Sequence, residues 1–162
     1  MKLQNFILEG GFSGTTLFGL GRHWDLHSFA EARSILFEPR ARTLAVEWAV
    51  PSMPNPWGSP GNRARGCRLV FEEVLALQMT DREAEASPEA DAILTEVSRI
   101  VPGEAAYSWI EKGAEPERFR LRFRFESGRT LEVESESVRL EPLDGFAQDS
   151  GAGARSDRER AP

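Results

Sequence analysis

The sequence predicts an α+β domain: a twisted, mainly antiparallel β-sheet of about six strands with one amphipathic helix packed on it and a disordered C-terminal tail. Three observations lead there. Phe119, Leu121, Phe123 and Phe125 alternate with Arg120, Arg122 and Arg124 at the two-residue period of a half-buried strand. Shorter alternating runs occur upstream, each bounded by Gly or Pro. Ile93, Leu94, Val97, Ile100 and Val101 recur at the spacing of one helix face. With 162 residues, 40% of them hydrophobic, the chain suits a single domain over 1–143, followed by a tail at 144–162.

Taken along the chain, Phe6 to Leu8 and Thr15 to Leu20 read as a glycine-punctuated hairpin. A second hairpin runs from 33 to 50. Ile35 and Phe37 precede the turn Glu38-Pro39-Arg40-Ala41-Arg42, and Leu44, Val46, Trp48 and Val50 follow in alternation. Pro39 presets the turn backbone and cannot donate to a ladder. Residues 51–66, PSMPNPWGSPGNRARG, hold too many prolines and glycines for strand or helix and read as a loop. From Cys67 to Met79 the apolar parity changes between Phe71 and Val74, which makes a bent or bulged strand.

The helix is placed at 88–101. Ser87 can cap it, Pro88 suits its first position, and Pro102-Gly103 stops it. A second short helical turn is placed around Tyr107 to Lys112. In the hairpin that follows, keeping apolar residues on one face pairs Phe123 with Leu131 and Leu121 with Val133. That leaves three loop residues ending on Gly128, which takes a left-handed conformation at no steric cost. The same register sets Arg122 against Glu132 and Arg120 against Glu134. The parity shift to Val138 and Leu140 calls for a bulge near Glu136. The tail is too poor in apolar residues to offset its ordering entropy.

Composition removes several function classes. A lone cysteine, Cys67, excludes an intramolecular disulfide and a cysteine-rich zinc site, and it suits a reducing compartment. Twenty Lys plus Arg against 26 Asp plus Glu give a net charge of -6, which repels nucleic acid at long range. No signal peptide and no run of apolar residues long enough to span a membrane is expected, so the chain reads as cytoplasmic. Glycine strings near the N-terminus match neither a phosphate loop nor a dinucleotide fingerprint. Cys67 starts a strand and reads as core, not nucleophile.

Three constellations carry chemistry. His23, Asp25 and His27 would project from one face of an extended segment, where two imidazoles and a carboxylate can hold a divalent metal. The alternative packs Trp24 into the core and spends the histidines on hydrogen bonds. The 51–66 loop offers Met53, Trp57, Arg63 and Arg65 as partner contacts, with Trp57 either an interface anchor or a cover for one end of the sheet. From Glu72 to Glu96 eight acidic residues face one basic residue, Arg82, so Glu83 and Glu85 are candidates for contacting a basic partner; a wet surface is the other reading. The arginine stripe at 118–124 reads as a solvated face paired with glutamates. No cofactor is indicated, and an unpaired sheet edge would allow a homodimer.

Trp24-x-x-His27-Ser28, the hairpin ILFEPRARTLAVEW, RLVFEEVLAL and FRLRFRFESGRTLEVESESVRLEP together resemble small bacterial immunity proteins of polymorphic toxin systems and similar uncharacterised bacterial β-rich domains. The resemblance spans residues 24–142. Ser28 stands where that pattern more often has an acidic residue, and 80–118 has no counterpart. The resemblance implies a non-catalytic protein that binds another protein, a cognate toxin domain, and covers its active site. The rival expectations are a metal-assisted enzyme using His23, Asp25 and His27, and a structural subunit of a larger bacterial assembly.

Overall fold

The computed structural model describes residues 1–10, 13–28, 30–49, 64–101, 103 and 118–144. Eleven strands occur among them: β1 (Lys2–Leu3), β2 (Phe6–Leu8), β3 (Ser13–Gly14), β4 (Thr16–Gly19), β5 (Arg22–Asp25), β6 (Glu31–Glu38), β7 (Thr43–Ala49), β8 (Ala64–Met79), β9 (Leu94–Ile100), β10 (Arg120–Phe125) and β11 (Thr130–Asp144). Eight form one sheet in the order β3-β9-β10-β11-β8-β7-β6, with β1 added in parallel to β11; β2, β4 and β5 form a second, smaller sheet. Apart from the β1 pairing, every ladder is antiparallel. The predicted α+β class is therefore corrected to a mainly β fold with more strands than expected.

The 88–101 helix does not form. Its start signals produce a 3-10 turn of five residues, Pro88–Ala92, and Ile93 is already extended at φ -96 and ψ 111. The stripe that mimics a helix face arises from a bulge. Phe125 pairs with Leu94 while Arg124 pairs with Glu96, so Thr95 is an extra residue in β9. Its hydroxyl donates to the Arg124 carbonyl at 3.0 Å. One inserted residue turns period-two alternation into an i, i+3 step, and Leu94 and Val97 both reach the core. The β-branched Ile93, Thr95, Val97, Ile100 and Val101 favour this outcome, because they lose less χ1 freedom in a strand than in a helix.

The long strands β8 and β11 form the spine, from Asp144 opposite Ala64 to Leu131 opposite Met79. The ladder thus begins inside the segment expected to be a loop and runs into the first residue expected to belong to the tail. The bend in β8 sits at Glu73, whose φ is +52. The parity change in β11 falls between Ser135 and Val138, as expected. The ladder irregularity lies one residue earlier, between Glu134 and Ser135, and the extra residue there is Leu75 of β8. Gly66 is required where β8 crosses β7, because a Cβ there would lie 2.3 Å from the Trp48 carbonyl oxygen.

The hairpin of β10 and β11 forms in the predicted register, and the hairpin expected over 33–50 forms as β6 and β7. Phe123 opposes Leu131 and Leu121 opposes Val133, and Gly128 closes the loop at φ +79. Ile35 opposes Val46 and Phe37 opposes Leu44. The N-terminal hairpin of β2 and β4 gains β5 as a third strand. One continuous core unites the two sheets: Phe6, Leu8, Leu17 and Trp24 of the small sheet pack with Trp48, Leu69, Phe71, Phe123 and Leu140 of the large one. The second helical turn expected around 107–112 lies outside the described residues.

Candidate functional site

The strand β5 places His23 and Asp25 on the face opposite Trp24, which is fully buried and donates its Nε1 hydrogen to the Gly19 carbonyl at 3.1 Å. The three candidate metal ligands are nevertheless engaged separately. His23 Nδ1 lies 2.6 Å from a Glu9 carboxylate oxygen. Asp25 Oδ1 accepts from the backbone amides of His27 and Ser28, both at 2.9 Å, and so closes its own turn. His27 Nδ1 is 2.7 Å from the Leu94 carbonyl oxygen, which ties this turn to β9. Among the described residues, no group of three or more His, Cys, Asp or Glu is arranged to hold a metal ion.

Of the residues expected to contact a partner, Met53, Trp57 and Arg63 lie outside the described residues, and Arg65 falls within β8. Glu83 and Glu85 are exposed on the connection between β8 and the 3-10 turn. The Glu83 amide donates to the Ser127 carbonyl at 2.8 Å, which fixes the connection against the β10–β11 loop. There Glu83 and Glu85 line an open hollow of about 430 Å³ together with Glu89 and Glu126. A neighbouring hollow of about 330 Å³ shares Glu83 and Glu126 and adds Glu96 and Arg124. Hydrogen bonds from its own backbone amide and then from Ser87 hold the Glu89 carboxyl below the usual carboxylate range.

The outer face of the large sheet is spent on itself. Arg122 reaches Glu132 at 2.7 Å, Arg120 reaches Glu134 at 3.1 Å, and Arg118 also binds Glu134. Further along, Arg68 and Arg139 each lie 2.7 Å from Glu141, and Arg139 also pairs with Glu72. Arg118, Arg120 and Arg122 of the arginine stripe are thus paired with glutamates on a solvated face. Cys67 is fully buried, and burial pushes its thiol well above its ordinary value, so it offers no thiolate near neutral pH.

Two apolar surfaces escaped the reading of the sequence. On the small sheet, Ile7 and Phe18 oppose each other with His23 beside Phe18, and the ring centroids of Phe18 and His23 are 5.0 Å apart. Ile7, Phe18 and Leu20 are 57%, 38% and 48% exposed. At the end of β8, Leu75, Leu77 and Met79 are 51%, 37% and 45% exposed. The signal for the second was present in VLALQMT at 74–80, where apolar residues occupy both parities. No helix among the described residues is long and apolar enough to cross a membrane. No protein-family model matches the chain, and no curated protein or solved structure matches it.

Proposed function

We propose that this chain is a non-catalytic protein-binding domain. The observation that carries the reading is the apolar outer face of the small sheet. Phe6, Leu8, Leu17 and Trp24 fill its inner face, yet Ile7, Phe18 and Leu20 are presented to water on the other. A sheet with one wet face ordinarily alternates apolar and polar residues, so an apolar second face points to a surface that a partner covers. Elsewhere on the surface, the carboxylates of Glu83, Glu85, Glu89 and Glu126 form a negative hollow that would accelerate encounter with a basic partner. The resemblance to immunity proteins makes a cognate toxin domain the partner to try first, and the lone buried thiol supports a cytoplasmic setting.

The test is a comparison of variants against the product of the adjacent gene, or against a protein captured with the wild-type chain and then purified. Ile7→Ser with Phe18→Ser is expected to weaken the complex at least about tenfold. Glu83→Lys with Glu85→Lys is expected to slow association and remove its salt dependence. Trp57→Ala, measured alongside, tests the proposed contact in the 51–66 segment together with Met53, Arg63 and Arg65. Unchanged affinity in the Ile7 and Phe18 double variant would sink the reading.

A further inference from the structure

Among the described residues, the far end of β8 is an open sheet edge. On the β7 side its ladder stops at Leu44 opposite Phe71, and the Val74 amide makes a last bond to the Arg42 carbonyl at 2.8 Å. Beyond it, residues 75–79 have β11 on one side and no strand on the other among the described residues. The Thr80 amide bonds inward to Thr130 at 3.0 Å. Antiparallel ladders alternate, so Gln78 also bonds inward, while Leu77 and Met79 aim their N–H and C=O groups outward. Exposed edges are normally protected by charge, proline or a covering element. VLALQMT at 74–80 contains neither charge nor proline. The edge strand beyond β7 on the same side, β6, by contrast carries the charges Glu31, Arg33 and Glu38.

We propose that a second copy of this chain covers this edge, in a twofold dimer whose β8 strands pair antiparallel across residues 75–79 with Leu77 on the axis. The segment is self-complementary in that register. Leu75 of each copy faces Met79 of the other, and Leu77 faces Leu77. Leu77 and Met79 lie on one face and extend the core row of Leu131 and Val133, their cross-strand neighbours, while Leu75 is the extra residue at the bulge. In the same register Val74 of one copy comes level with Thr80 of the other, and Glu73 with Asp81. Arg42, whose carbonyl accepts from Val74 and whose guanidinium lies 2.8 Å from the Glu73 carboxylate, is the cation that offsets this acidic pair, with Arg40 on the same β6–β7 tip. Pairing about a twofold axis uses one patch twice and leaves no edge for a third chain.

The experiment uses the full chain. Sedimentation across a concentration series is expected to give a dimer whose dissociation strengthens with added salt. Leu77→Lys places two ammonium groups on the axis and is expected to raise the dimer dissociation constant at least about tenfold, with the circular dichroism spectrum unchanged. Leu36→Lys on β6 is expected to leave the dimer intact. The register has its own readout: residues that oppose each other in a hydrogen-bonded antiparallel pair have Cα atoms about 5.5 Å apart, within disulfide reach. Leu77→Cys alone is therefore expected to give an oxidised, covalently linked dimer, whereas Leu75→Cys alone is not. A monomer at every concentration, a dimer that survives Leu77→Lys, or cross-linking of Leu75→Cys in preference to Leu77→Cys would overturn the proposal.

Discussion

Trp24 and Trp48 are both fully buried and differ in one hydrogen bond. Trp24 donates to the Gly19 carbonyl at 3.1 Å and carries the Arg22 guanidinium 3.5 Å above its ring. Trp48 packs 5.7 Å from Phe123, centroid to centroid, and its Nε1 has no hydrogen-bond partner among the described residues. Substituting either with Phe removes a similar ring volume. Trp24→Phe also removes the hydrogen bond to the Gly19 carbonyl, so its cost is expected to exceed that of Trp48→Phe by about 1 kcal/mol, measured by urea unfolding of the two variants. The sequence already pointed to Trp24 as core, because apolar Leu26 shares its parity. Which indole would find a carbonyl was not legible, because Gly19 reaches Trp24 only once β4 turns back onto β5.

At the scale of elements, turns were more readable than strand phases. Gly128 and Pro39 identify their loops chemically; the β10–β11 hairpin formed in the register its alternation implies, and the β6–β7 hairpin turned at Pro39. The β4–β5 turn is less obvious. Leu20 and Gly21 form a two-residue loop with φ of 56 and 77, the conformation of a type I′ turn, which favours Asn-Gly. A leucine there carries the left-handed penalty. Leu20→Asn is therefore expected to stabilise the fold by about 0.5–1 kcal/mol, read as a raised unfolding midpoint. The misread helix has the opposite lesson. A strand with one inserted residue and a helix both place apolar side chains three apart, and only the pairing of β9 with β10 tells them apart. Clustering of β-branched residues at 93–101 was the available local clue.

The whole molecule joins one core to an outer face of alternating charges, and that face makes stability depend on acid. A hydrogen bond from Arg118, followed by one from Arg120, holds the Glu134 carboxyl below the usual range. Burial alone would raise Glu141, but hydrogen bonds from Arg68 and Arg139 outweigh it and leave it lowered as well. A carboxyl whose folded value lies below its unfolded value, about 4.3 for glutamate, contributes fully above the latter. Its contribution is lost as pH falls through the folded value. The melting temperature is thus expected to hold near neutrality and drop below about pH 4, and Glu134→Gln is expected to lower it at neutral pH and flatten the acid limb. A series of thermal melts from pH 7 to pH 2 checks both.

Local chemistry by itself determined the register of the β10–β11 hairpin, the turn at Pro39, the parity break in β8, the pairing of Arg122 with Glu132 and the burial of Cys67. Each follows from side-chain alternation or from a turn residue acting over a few positions. What tertiary structure alone decided is which strands become neighbours: β9 beside β10, β1 alongside β11, the small sheet packed against the large one, and, among the described residues, no strand beside the end of β8. Those choices join residues far apart in the chain, as when Asn5 donates to the Leu140 carbonyl at 2.9 Å, and no periodic pattern encodes them. The separate engagement of His23, Asp25 and His27 belongs to the same class. Alternation sets His23 and Asp25 on one face, while Glu9 and the Leu94 carbonyl, brought in by distant segments, determine what the two histidines bind.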